Sequence, residues 1–403
     1  MGILFEDDLL DDFGTAALGY IPYGGADFGE VQAVARATGD GGDDAYRLAW
    51  TAAADRMVAD AQATLAKGKR ASARDQFLRA SVFYNGALHP LYGAPTDPRL
   101  LAVFRQEIDA FDRGLALLDT PVPPMSIPFG DLSMPTYLLP AAGHEQQVGP
   151  LLILTNGYDA TIPDMYFASG VAASRRGYHV LMFDGPGQGA MLYEHGIALR
   201  PDWETVMSAV MDFALTLPIV DPSRIALMGW SLGGHLAPRA ASGEPRLAAL
   251  IADPGLWSIV GRFRDVAVML GATPEEAADL GELDQAILDK MEYLVANDRR
   301  MRWNLRQRGY WVHGVDNLRD YLRCAEQFTM EGRAERITCP TLLTLAEDDA
   351  LSASAPALFE ALRCPKTLLR FTAAEGAGGH CEMMNRSLLN RRALDWLDDC
   401  LQN

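Results

Sequence analysis

Ile225–Met228 is an apolar run that leads into Gly229-Trp230-Ser231-Leu232-Gly233-Gly234, and a helical stretch begins directly behind it. Strand, tight turn and helix in that order are what a nucleophile elbow requires. The turn is so sharp that small residues must stand two positions either side of the serine. The serine hydroxyl is thereby held up at the carboxyl edge of a sheet, where open α/β sheets bind ligands. A bare Gly-X-Ser-X-Gly pattern also arises by chance as an ordinary glycine turn. Its position between a strand and a helix singles this one out, and makes Ser231 the candidate nucleophile.

Outward from the elbow, short apolar runs alternate with amphipathic helices. The runs are residues 151–155, 179–183, 224–228, 247–252, 341–345 and 367–371. Such alternation predicts an α/β fold, a mostly parallel sheet flanked by helices on both faces. Residues 125–129 and 134–139 add two strands around Gly130-Asp131, a hairpin signal. Residues 1–120 read differently. Apolar positions recur at helical spacing over 43–67, 70–88 and 97–119, with no convincing strand. Pro121-Val122-Pro123-Pro124 breaks that pattern. The expected organisation is a helical N-terminal domain over 1–120, covering the site, and a catalytic domain over 121–403. Residues 255–336 within the latter are helix-rich and too long for a structureless loop, which predicts a helical cap insertion.

A serine nucleophile needs a base and an acid to orient it, and with this elbow both follow the serine in the chain. Of seven histidines only His380 lies beyond every plausible acid, in the glycine-rich loop Glu375–Glu382. The acid should sit just past the run 341–345, where Glu347, Asp348 and Asp349 crowd together. An acid three residues after a small residue, here Ala346, points to Asp349, with Asp348 as the alternative. Two backbone N–H groups must face the developing oxyanion. Leu232, next to the serine, supplies one. The loop Asn156-Gly157-Tyr158-Asp159 supplies the other, with Tyr158 N–H the preferred donor and its ring facing the pocket.

Other motifs read more plainly. Asp184-Gly185-Pro186-Gly187-Gln188-Gly189 follows a strand, but its glycine spacing is not that of a dinucleotide site, and Pro186 lacks an amide. A tight turn shaping the cleft is the expectation. The histidines are scattered and no cysteines are paired in a ligand motif, so neither a metal nor a cofactor is expected. His235, four residues after Ser231, either approaches the pocket or packs against the sheet. The segment Asp298–Trp311 mixes arginines with aromatics, the pattern of a nucleic-acid surface or of a pocket for an acidic aromatic substrate. A cap helix with a solvated basic face is the plainer reading, and in an acidic chain the substrate pocket comes second. Tyr158, Trp230, Trp303 and Trp311 are the candidate pocket residues.

The charge balance is acidic, 53 Asp and Glu against 35 Lys and Arg, with twelve acids and three bases in residues 1–60. Such a chain repels phosphate backbones and anionic membranes, so neither nucleic acid nor membrane is an expected partner. Five cysteines, an odd number, suit a reducing compartment. With no signal-peptide pattern and no apolar stretch of spanning length, a cytoplasmic protein is expected.

Gly229–Gly234, Asp184–Gly189, Asp349 and Gly376–His380 together resemble the α/β-hydrolase superfamily over about residues 121–403. The helical N-terminal region (notably Ser72–Ser81), Arg200–Glu204 and the loop Gly376–Glu382 resemble one branch of it. That branch contains 2,6-dihydroxypseudooxynicotine hydrolase and fungal hydrolases that shorten polyketide pigment precursors. Asn156-Gly157 departs from the Gly-Gly that relatives often carry, and Ala346 from their glycine. The resemblance implies a helical N-terminal domain folded over the active site, a homodimer, and cleavage of carbon–carbon bonds beside a carbonyl, with esterases and peptidase-like proteins among the relatives. The expectation is a Ser-His-Asp hydrolase acting on a small-molecule carbonyl substrate through a C–C, ester or amide bond. An acyltransferase with the same triad and a non-catalytic binding protein on this fold are the alternatives.

Overall fold

A computed structural model describes residues 2–401. Among them the strands are β1 (Met125–Phe129), β2 (Leu132–Leu139), β3 (Gly149–Thr155), β4 (His179–Phe183), β5 (Val220–Trp230), β6 (Ala249–Asp253), β7 (Thr341–Ala346) and β8 (Lys366–Phe371). They form one sheet in the order β1-β2-β4-β3-β5-β6-β7-β8. β1 and β2 form the expected hairpin and β2 runs antiparallel to β4; every other pairing is parallel. The architecture is α/β, a mostly parallel sheet between helices with a helical N-terminal region.

Burial explains the sequence pattern. All five residues of β4 and of β6 are buried, as strands covered on both faces must be, so apart from His179 and Asp253 at their ends these runs are continuously apolar rather than alternating. The edge strands β1 and β8 are largely accessible. β3 lies between β4 and β5, so the chain leaves it in one direction and returns on the other side. The loops after β3 and β5 therefore part at the carboxyl edge and open a crevice there.

Five helices precede the sheet: Asp8–Thr15, Phe28–Thr38, Asp43–Ala66, Arg70–Gly86 and Pro98–Leu115. Their apolar faces join the sheet's own buried cluster, with Trp50, Phe83 and Phe111 fully buried in it. Tyr137 on β2 donates to Asp112 of the fifth helix at 2.6 Å. Between β6 and β7, helices including Gly261–Met269, Gln285–Asn297 and Leu318–Ala325 pack on a separate apolar cluster of their own. The two helical regions meet over the sheet. Arg299 pairs with Asp7 and Asp43, and Arg300 with Asp12. Acids from the N-terminal stretch thus meet the arginines of segment 298–311. Each is a partly exposed pair, a class worth about 0–1 kcal/mol apiece, so they align the two parts more than they stabilise them. Among the described residues no helix is long and apolar enough to cross a membrane.

Candidate active site

β5 delivers Ser231 into a turn with φ of 60°, a left-handed backbone that non-glycine residues rarely adopt. Two contacts enforce it. The Ser231 amide donates to the carbonyl of Asp253 at the end of β6, at 2.7 Å. A Cβ at Gly229 would stand 1.9 Å from the Gly233 oxygen, so only glycine allows the strand and the following helix (Gly233–Ala241) to fold so closely. Ser231 Oγ lies 2.9 Å from His380 Nε2. His380 comes from the loop after β8, and its Nδ1 lies 2.8 Å from Asp349 Oδ2. Asp349, just past β7, is buried, and its other oxygen accepts the Leu351 N–H at 2.9 Å. Asp348 is exposed, and Glu347 is occupied by the Ala373 N–H. Of the three crowded carboxylates, Asp349 is the one that faces the imidazole.

The loop after β3 closes on the elbow from the other side. A Cβ at Gly157 would lie 2.8 Å from both the Leu232 nitrogen and the Ser231 Cβ, so the loop backbone reaches the nucleophile only because residue 157 is glycine. Gln188 fixes that loop, donating to the Asn156 carbonyl at 2.7 Å and to the Gly157 carbonyl at 3.3 Å while accepting the Gly185 N–H. The segment Asp184–Gly189 is a tight turn, but its glutamine has a task that the sequence did not disclose. Asn156 accepts the Gly157 N–H and donates to the Ala160 carbonyl, which closes the loop on itself. Among the described residues neither the Leu232 nor the Tyr158 amide is taken by a backbone carbonyl. The Leu232 N–H, directly after the serine, and the Tyr158 N–H of the β3 loop are thus both without a backbone partner.

The chain matches the model of the alpha/beta hydrolase family over residues 152–390. It belongs to that family. It is 32% identical over 413 positions to 20-hydroxy-prefusarin hydrolase of Gibberella moniliformis, across 98% of this chain and 97% of that one. It is 33% identical over 410 positions to hydrolase acrC of Aspergillus aculeatus, across 94% and 93%. The crystal structure of 2,6-dihydroxy-pseudo-oxynicotine hydrolase is similar in fold, with a TM-score of 0.74, 21% identity and 95% of each chain covered.

In this α/β-hydrolase the wall above the β3 loop is aromatic and carries one guanidinium. Arg308 of the cap pairs with Asp159 at 2.6 Å and lies 4.9 Å from the Tyr158 ring centroid and 5.0 Å from that of Trp303. Trp303 also donates to the His89 carbonyl at 2.9 Å, and Trp311 stacks on Tyr193 at 5.2 Å. Trp303, Trp311 and Tyr158 therefore belong to one junction of cap, N-terminal helices and β3 loop. Trp230 does not; its ring lies 5.4 Å from the Arg386 guanidinium. The Tyr158 hydroxyl meets His313 Nε2 at 2.7 Å, a partner that no sequence pattern reveals. His235 stays out of the site, buried against Phe328 with Nδ1 near the Leu256 carbonyl. Among the described residues no cluster of three or more His, Cys, Asp or Glu is placed to hold a metal ion.

Two buried groups give the fold opposite pH responses. Burial pushes the His235 imidazole down to about 4, so the folded state binds fewer protons than the unfolded one between that value and about 6.5. Its contribution is complete above the unfolded value and is lost as pH falls through the folded one. Burial, reinforced by Asp164, pushes the Asp184 carboxyl up to about 7, which reverses the sign: its contribution is complete in acid and is lost as pH rises through 7. In urea titrations from pH 4 to 7, wild type is expected to gain on His235→Asn with rising pH and to lose against Asp184→Asn, each by roughly 1.4 kcal/mol per pH unit at most. Parallel curves would show that these groups titrate normally.

Proposed function

We propose that this protein is a serine hydrolase in which Ser231, His380 and Asp349 form the catalytic triad. The observation that carries the reading is the unbroken line of hydrogen bonds from Ser231 Oγ through both ring nitrogens of His380 to Asp349. His380 Nε2 takes the Ser231 proton as Oγ attacks a substrate carbonyl, and Asp349 holds the Nδ1–H tautomer and stabilises the imidazolium. The amides of Leu232 and Tyr158 hold the tetrahedral oxyanion. Collapse expels the leaving group, protonated by His380. Water, activated by the same imidazole, then releases the acyl group from Ser231.

The helical region before residue 121 and the insertion at 255–336 act as a two-part cover that selects the substrate. Their junction, with the rings of Tyr158, Trp303 and Trp311 around Arg308, suits a flat conjugated molecule bearing oxygen substituents. Two similar proteins are hydrolases of 20-hydroxy-prefusarin and of 2,6-dihydroxy-pseudo-oxynicotine, which supports a conjugated or polyketide-like carbonyl compound here. When the leaving atom is carbon, its electron pair must be delocalised as an enolate or phenol before His380 protonates it. The preferred substrate is therefore a 1,3-dicarbonyl or an acyl-phenol.

A panel of such ketones, with esters and amides of matching shape, tests the reading by product analysis with and without an added alcohol or amine. The expected result is a carboxylic acid and the protonated carbon fragment from the ketones, unaffected by acceptor. Turnover of esters alone would move the reaction to ester hydrolysis. Products joined to the acceptor would make the enzyme an acyltransferase.

A further inference from the structure

Beneath the elbow lies a set of buried charged groups that the proposed chemistry does not use. Asp253, whose carbonyl accepts the Ser231 amide, has a fully buried carboxylate. One of its oxygens accepts from Thr344 Oγ1 at 2.9 Å, the other from Arg386 Nη1 at 2.8 Å. The same Nη1 donates at 2.7 Å to the carbonyl of Cys381, the residue directly after His380. Nη2 reaches Ser169 Oγ at 2.8 Å, and the arginine side chain is only 1% exposed. Cys381 and Glu382 both hold left-handed φ angles, 52° and 48°. Backbone of that kind persists in non-glycine residues only where the surroundings over-determine it. Glu382 is buried with no donor on either oxygen. Burial, then the Asp253 charge, raises its carboxyl far above the usual carboxylate range.

We propose that Arg386 is a positioning residue for the reaction: one guanidinium, gripping Asp253 and the Cys381 carbonyl together, sets the spacing of Ser231 and His380. The proposal rests on the hydrolase reading. The serine side of the pair is fixed through the Asp253 carbonyl, and the histidine side through the carbonyl that follows it. Arg386 touches both Asp253 and Cys381, beside a weaker direct contact of the Cys381 thiol with the Asp253 carbonyl at 3.6 Å. A planar fork with five donors can serve several acceptors in fixed directions, whereas a lysine ammonium is a point charge on a flexible stem. Arg386→Lys therefore keeps the charge opposite Asp253 and releases the histidine loop. A core ion pair with no such task would, on the same change, cost stability alone.

The test compares wild type, Arg386→Lys and Ser169→Ala by two readouts: the rate of labelling by a fluorophosphonate, per folded molecule, and the NMR resonance of the His380 Nδ1 proton. Labelling is expected to slow about 100-fold in Arg386→Lys, the scale of an ångström-sized misplacement, with the His380 resonance shifted or broadened. Ser169→Ala removes one partner of the guanidinium without leaving a charge unpaired, and is expected to move both readouts less, in the same direction. Wild-type labelling and an unchanged resonance in Arg386→Lys would overturn the proposal. Should that variant fail to fold, the same outcome in Ser169→Ala would overturn it. If wild type itself resists the probe while the His380 resonance moves in the variants, the hydrolase reading fails and what stands is the coupling of Arg386 to the His380 loop.

Discussion

Replacing Ser231 with alanine is expected to lower kcat by about a million-fold, the scale on which a triad nucleophile and base act as one unit. The change removes the only atom that attacks, while its surroundings stay in place. The Ser231 amide still bonds to the Asp253 carbonyl, and the lost hydroxyl had bonded to His380. The thermal midpoint should therefore move little, and substrate should still bind. Steady-state kinetics beside thermal unfolding checks both halves. Activity near the wild-type level in a folded Ser231→Ala protein would remove the serine from the mechanism.

The second large effect separates neighbouring carboxylates. Asp349→Asn is expected to cut kcat about 10⁴-fold, whereas Asp348→Asn should leave it within about threefold. The asparagine at 349 can keep its oxygen on the Leu351 N–H, as Asp349 Oδ1 does now. Its amide then faces His380 Nδ1, which must accept rather than donate. The ring proton moves to Nε2, and that nitrogen can no longer take the Ser231 proton. Asp348 projects from the same turn into solvent, with its backbone N–H on the Gly378 carbonyl. Comparable losses in the two variants would mean that charge near the loop, and not the tautomer of His380, is what matters.

The sheet was readable because its central strands are buried on both faces: each apolar run in the sequence is a strand, with ends displaced by a few residues. The β5 strand begins at Val220 rather than Arg224, since its first residues pair across a bulge instead of carrying an apolar signal. The meeting of Ser231, His380 and Asp349 was readable because the elbow has a local pattern and the other two follow by chain order. Gln188 was not, because its role depends on carbonyls about 30 residues earlier, and a glycine-rich turn reads the same with or without it. Arg386 and Asp253 lie 133 positions apart, and Tyr158 and His313 are 155 apart. No periodicity links such residues; only the folded crevice does. The acids of residues 1–60 read only as a charge excess that repels polyanions, and the carboxylates at 7, 12 and 43 are partners for Arg299 and Arg300. Trp303 and Trp311 read as pocket walls on a cap helix, and each is held in a junction of three chain regions rather than standing alone there.

The most direct test of the triad is to treat the intact protein with a fluorophosphonate and map the adduct by peptide mass spectrometry. The phosphonyl group bonds to a serine oxygen only where a base removes its proton and donors hold the phosphoryl oxygen, so the probe reads the elbow, the imidazole and the two amides at once. A single stoichiometric adduct on Ser231, absent from His380→Ala, is the predicted result. A folded wild-type protein that stays unlabelled, or that is labelled elsewhere with Ser231 untouched, would contradict it.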